Sequence, residues 1–149
     1  TEFNGFKGEL LSIALVEDSL RLRSFYAILP PRGRVDPWVK KNVIPYLNSV
    51  PQQIKPLRVA SELHLAHHLA TFLKGDSDPV IVTDWPDDIR YFCGAVITKP
   101  GEMVSIPQLK FEMHRVDAYP TRVADAVQHN AWWDAIALRQ KMIELKEAA

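Results

Sequence analysis

The chain has one cysteine in 149 residues, Cys93, so no internal disulfide can staple it. A lone thiol fits a reducing compartment, and a cytoplasmic location is the expectation. Flanked by apolar residues, it reads as core filler rather than a nucleophile. No run of about 18 apolar residues is present, so no transmembrane helix and no membrane partner are expected. A basic, apolar, small-residue leader is also absent. There is no excess of either charge: 18 basic residues balance 18 acidic ones. A protein that coats duplex DNA needs a basic surface, so neutrality argues against that class. It leaves room for an enzyme that grips a short strand end through metal ions. Repeats and low-complexity tracts are missing too.

What is present is ordinary globular material, 47% hydrophobic and 24% charged. The length suits a single domain, residues 1–149, that buries roughly 70% of its unfolded surface. Leu10 to Val16 is nearly continuous apolar sequence and reads as a buried strand. Leu20 to Leu29 reads as a second strand, antiparallel to the first and ended by Pro30-Pro31. A strand preceding Thr1 would complete a three-stranded meander.

Further on, Trp38 to Leu47 reads as a short helix limited by Pro45. Leu57 to Leu73 is a helix candidate stopped at Gly75, with Leu63, Ala66, Leu69, Ala70 and Leu73 apolar. Val80-Ile81-Val82 reads as a short buried strand in a parallel position. Asp87 to Val96 is a helix with Pro86 near its start. Pro100-Gly101 is a turn, and Leu109, Phe111 and Met113 alternate as in a strand. Ala131 to Ala148 is a helix carrying Ala135, Leu138, Met142 and Leu145 on one face. The order predicts an α/β fold with a mixed sheet whose opening strands are antiparallel, flanked by helices.

Three short segments carry chemistry. His129-Asn130-Ala131-Trp132-Trp133-Asp134 sets an imidazole five residues before a carboxylate, at the start of the last helix. Thr1-Glu2-Phe3-Asn4 sets a carboxylate just before the strand-rich region. Asp84-Trp85-Pro86-Asp87-Asp88 follows the apolar Val80-Ile81-Val82. Each has a plain structural reading. A His-x-x-x-x-Asp pair alone is common, and Glu2 alone is a solvated chain start. Asp84 or Asp87 would cap the following helix and favour its dipole, and for Asp88 capping and metal ligation weigh about evenly. His64, His67 and His68 share a helix face and would suit zinc, but an exposed face accounts for them better. Of Trp132 and Trp133, one is expected in the core and the other near a site rim. Arg32, Arg34, Lys40 and Lys41 read as solvated.

Taken in order, the three segments resemble the motifs of the DEDD superfamily of 3′-to-5′ exonucleases, histidine-containing branch, whose members include RNase T and oligoribonuclease. Glu2 matches the glutamate of the Asp-x-Glu motif. The resemblance implies that motif's aspartate directly before Thr1, with the sequence beginning inside the first strand. Asp88 matches the second motif, with Asp84 as a further candidate that would hold a metal-bound water. His129 and Asp134 match the third.

The resemblance implies an RNase H-like fold and two Mg²⁺ or Mn²⁺ ions. Glu2, Asp88, Asp134 and Asp84 would be metal ligands, and His129 the general base. Phe3, Asn4 and Trp85 would touch the terminal nucleotide. The implied partners are 3′ ends of single-stranded RNA or DNA, with RNA favoured by likeness to the small exoribonucleases. Relatives are commonly homodimers. The chemistry is coherent: carboxylates suit hard divalent cations, and a histidine pKa near ~6.5 suits proton abstraction from water. The competing expectation is a catalytically degenerate module of the same fold that binds nucleic-acid ends.

Overall fold

The computed structural model describes residues 1–149. In chain order its elements are β1 (Glu2–Phe3), β2 (Leu10–Val16), β3 (Ser24–Ile28), α1 (Pro37–Asn42), β4 (Leu57–Arg58), α2 (Glu62–Leu73), β5 (Val80–Thr83), α3 (Pro86–Val96), β6 (Ile97–Lys99), β7 (Glu102–Met103), β8 (Lys110–Met113) and α4 (Ala131–Ala148). This is an α/β protein with antiparallel and parallel strand pairs and four α-helices. The residues fall into two compact units, Thr1–Arg58 with Val116–Ala149, and Val59–Arg115. No helix is long and apolar enough to cross a membrane.

The first unit is built on a four-stranded sheet in the order β1-β2-β3-β4. The β1–β2–β3 part is an antiparallel meander formed within the chain, with β4 added parallel to β3. The apolar run Leu10–Ile13 is buried as its pattern predicts. The second strand is shorter than the sequence suggests. Residues Leu20 and Leu22 lie in the preceding turn, where Leu20 is fully exposed and Leu22 takes a φ of 46°. Arg139 of α4 holds that turn by donating to the carbonyls of Glu17 (3.2 Å) and Ser19 (3.1 Å). Tertiary hydrogen bonds thus override the apolar alternation that suggested a longer strand.

Helix α4 packs on β2 through its first two turns. Its buried residues are Ala131, Trp132, Trp133 and Ala137, not the expected face of Ala135, Leu138, Met142 and Leu145. Leu145 is in fact exposed. The two tryptophans supply more apolar area than the small stripe, and they fix which side turns inward. Both join Leu11, Tyr26, Ile28, Val39, Val43 and Leu47 in one core, so neither sits at a rim. Their rings meet edge to face at 4.8 Å, and each indole N–H is satisfied, Trp132 by Ser24 Oγ (3.2 Å) and Trp133 by the Ser49 carbonyl (2.7 Å).

In the middle unit, α2 begins at Glu62, five residues later than the pattern suggested, because Leu57–Arg58 pairs as a strand and Ser61 caps the helix through the His64 amide. Leu65, Ala66, Leu69 and Leu73 are buried, while Leu63 faces out with His64, His67 and His68. Helix α2 packs against α3. Strand β5 is parallel to β8, as its apolar character suggested. It is not buried, however: Val80 and Val82 are each 39% exposed, because β5 belongs to a two-stranded sheet. β6 and β7 form a hairpin over the expected Pro100-Gly101 turn, with Gly101 at φ 77°.

Candidate catalytic carboxylates and the start of the last helix

In the first unit the site is organised by Asn130, which is fully buried and caps α4. Its side-chain oxygen accepts from the amides of Trp132 (3.0 Å) and Trp133 (3.3 Å), two donors that a helix start otherwise leaves orphaned. Its amide nitrogen donates to the Tyr46 carbonyl (2.8 Å) and the Tyr26 hydroxyl (3.3 Å). Tyr26 in turn donates to the Leu47 carbonyl at 2.7 Å. Burial pushes the Tyr26 phenol up to about 12, and the Glu2 carboxylate adds to the push. The phenol therefore remains a donor at all ordinary pH values.

This cap determines where the motif residues stand. His129 does not begin the helix. It lies one residue before the cap with φ 59°, a left-handed conformation that histidine tolerates better than most residues. Asp134 lies in the first turn, and its amide bonds to the Asn130 carbonyl at 3.0 Å. The pair thus occupies the residue before the cap and the fourth helical position, which a helix start brings to one side. The His129 ring is half-buried against the edge of Trp38, with centroids 4.9 Å apart.

Glu2 belongs to the same side of the sheet. It pairs with Ser12, Ser12 with Ile28, and Ala14 with Tyr26. Directly opposed residues share a face, as do alternate residues of a strand. Glu2 therefore lies on the face whose Tyr26 and Ser24 bond to the first residues of α4. Phe3 is partly buried beside it, where the register shifts between the two residues. Asn4 is committed to structure. It donates to Glu9 Oε1 (3.1 Å) and the Arg34 carbonyl (3.0 Å), and accepts from the Asp36 amide (2.8 Å).

In the middle unit, Asp84 follows β5 directly and Asp88 sits in the first turn of α3. The expected carboxylate cap is not formed by the N-cap position, because Trp85 occupies it and its side chain makes no capping bond. Asp87 instead accepts from the Trp85 indole N–H (3.2 Å) and pairs with Arg90 (3.1 Å). Asp88 accepts from the Thr83 hydroxyl at 3.1 Å. Arg115 donates to the Asp84 carbonyl and lies 4.6 Å from the Trp85 ring centroid, leaving that indole half-exposed but held. Burial first, and then the nearby Asp88 charge, raise the Asp84 carboxyl above its usual range.

That shift has a consequence for stability. Folded Asp84 keeps its proton to a higher pH than the unfolded chain does. The folded state therefore binds more protons between the ordinary carboxylate value of 3.8 and the raised one, and stability falls as pH rises through that window. The cost is fully present at neutral pH. Asp84→Asn should raise Tm at pH 7 and raise it less at pH 4, in thermal unfolding followed by circular dichroism. A lower Tm at pH 7 would show that Asp84 is stabilising as a carboxylate.

Sequence reasoning missed Asn130 as the organising residue, although an asparagine directly before a helical run is a cap signal. Thr83 and Arg115 were missed as well, and the Arg115 contact spans 31 residues, so no local pattern announces it. Neither unit by itself gathers three or more His, Cys, Asp or Glu side chains as metal ligands. Compared with known proteins, the chain matches no protein-family model, no curated protein and no solved structure.

Proposed function

We propose that the protein is a metal-dependent 3′-to-5′ exonuclease of the histidine-containing DEDD type, with an RNase H-like fold, that removes nucleotides from single-stranded nucleic acid, RNA before DNA. The start of α4 supports this most: one buried cap sets His129 and Asp134 at positions that face one side, on the sheet face that carries Glu2.

The donor chemistry suits divalent cations in each unit taken by itself: Glu2 and Asp134 in the first, and Asp84 and Asp88 in the second, offer only hard oxygen ligands, the kind Mg²⁺ and Mn²⁺ prefer. Burial raises the Asp84 carboxyl most and the Asp88 charge adds to it, and that added repulsion is what a bound cation relieves. When bound, two such ions would supply activation of water and stabilisation of the leaving oxygen. His129 takes the proton from the attacking water as general base. Phe3 packs against the terminal base.

The test is release of mononucleotides from a single-stranded RNA with Mg²⁺, beside the same RNA blocked by a 3′-phosphate. Release that requires both the metal and a free 3′ end is the expected result. Internal cleavage, or release from the blocked strand at the same rate, would overturn the 3′-to-5′ assignment. Binding without turnover under any divalent metal would favour the end-binding module.

A further inference from the structure

The loop between β1 and β2 carries an aromatic ring for which the fold has no use. Phe6 is 91% exposed at its tip. Exposing that ring forgoes the burial that makes phenylalanine useful to a core, and the loop is otherwise expensive. Lys7, a residue with a Cβ, is held at φ 57°, a conformation costing roughly 1–2 kcal/mol outside glycine. Gly5 takes φ 66°. At Gly8 a Cβ would stand 1.7 Å from the Asn4 carbonyl oxygen, so no other residue fits.

The base of the loop is fastened on both sides. Asn4 bonds to Glu9, to the Arg34 carbonyl and to the Asp36 amide, and Glu9 also accepts from the Arg32 amide (3.2 Å). A hydrogen bond from its own backbone, with those from Asn4 and Arg32, holds the Glu9 carboxyl below the usual range. The tip is thus presented on a fixed base. Lys7 Nζ lies 5.2 Å from the Phe6 ring centroid, so a cation and an aromatic face leave the loop together.

We propose that Phe6 and Lys7 form a single-stranded RNA contact upstream of the nucleotide being removed, with a base stacked on Phe6 and a backbone phosphate met by Lys7. This rests on the exonuclease reading and extends it to the strand behind the terminal nucleotide. An exposed ring beside a cation matches the two components of strand binding, base stacking and phosphate neutralisation. Position agrees. Four residues of chain keep Phe6 within ~14 Å of Glu2 however extended they are, the length of about four stacked nucleotides at 3.4 Å each.

The experiment is fluorescence anisotropy of a 5′-labelled 12-nucleotide oligouridylate with the 149-residue chain in a chelating buffer, where cleavage is suppressed. Phe6→Ala should weaken binding about 5- to 30-fold, and Phe6→Trp should keep it, since every base stacks on any aromatic face. Lys7→Asn, a residue that accepts the same backbone, should reduce the slope of log affinity against log salt by about 0.7. Unchanged affinity in Phe6→Ala with tight wild-type binding would overturn this contact and leave the exonuclease reading standing. Equal losses in Phe6→Ala and Phe6→Trp would overturn stacking. No binding by the 149-residue chain, together with no Mg²⁺-dependent release of nucleotides by the chain bearing an aspartate directly before Thr1, would overturn both.

Discussion

His129→Asn is expected to lower turnover of single-stranded RNA by about 10²- to 10⁴-fold, the range a positioned general base contributes, with little change in stability. Asparagine is the informative replacement. His129 stands at φ 59°, where alanine would add backbone strain of roughly 1–2 kcal/mol and confuse a folding loss with a catalytic one. Asparagine visits that conformation readily and offers no comparable base. The ring's edge-to-face contact with Trp38 is lost, which costs at most about 1 kcal/mol at a half-exposed site. The comparison is best made in the chain carrying an aspartate directly before Thr1, since the resemblance assigns that position a metal ligand. Turnover within threefold of the parent would exclude His129 as the base, and with it the reason for reading His129 and Asp134 as one motif.

The second large effect is on stability. Asn130→Ala should destabilise the protein by about 2–5 kcal/mol, read as a lower urea midpoint with an unchanged slope. Two costs combine. Losing the cap takes about 0.5–2 kcal/mol, and losing the buried amide's bonds to the Tyr46 carbonyl and the Tyr26 hydroxyl takes about 0.5–1.5 kcal/mol each. Against a usual total of 5–15 kcal/mol, that is a large fraction. Asn130→Asp separates the two roles. Aspartate caps an exposed helix as well as asparagine does. Here it would turn an acceptor toward the Tyr46 carbonyl, which the Asn130 amide nitrogen meets at 2.8 Å. Aspartate should therefore be nearly as damaging as alanine. A stable Asn130→Asp variant would mean that only the capping oxygen matters and that the cross-links to Tyr26 and Tyr46 are incidental.

Much of the fold could be read from local pattern. The strand at Leu10–Val16, the helix at Pro86–Val96 and the helix at Ala131–Ala148 follow from apolar runs, a favourably placed proline and long helical composition. The departures from pattern share a cause. Apolar alternation predicts a strand at Leu20 and Leu22, but Arg139, more than a hundred residues away, holds their turn. Apolar spacing predicts a helix from Leu57, but Leu57 pairs with Ala27 across the sheet. Spacing predicts a face of Ala135, Leu138, Met142 and Leu145 on α4, but Trp132 and Trp133 turn the buried side elsewhere.

At the site the motif residues were legible as residue types, while their support was not. Asn130 appears in the sequence as a neighbour of the motif. Its hydrogen bonds to residues 84 and 104 positions away make it the anchor. Asn4 fastens the loop that presents Phe6, a tertiary role that its place after Glu2 does not announce.

The most direct test of the central claim is digestion of a 5′-labelled single-stranded RNA with Mg²⁺ or Mn²⁺, resolved on a gel. The 149-residue chain would be run beside one bearing an aspartate directly before Thr1. A ladder that shortens from the 3′ end in the aspartate-bearing chain, and disappears with chelator, is the predicted result. Intact strands in both lanes, with RNA and then with DNA, would contradict the exonuclease account.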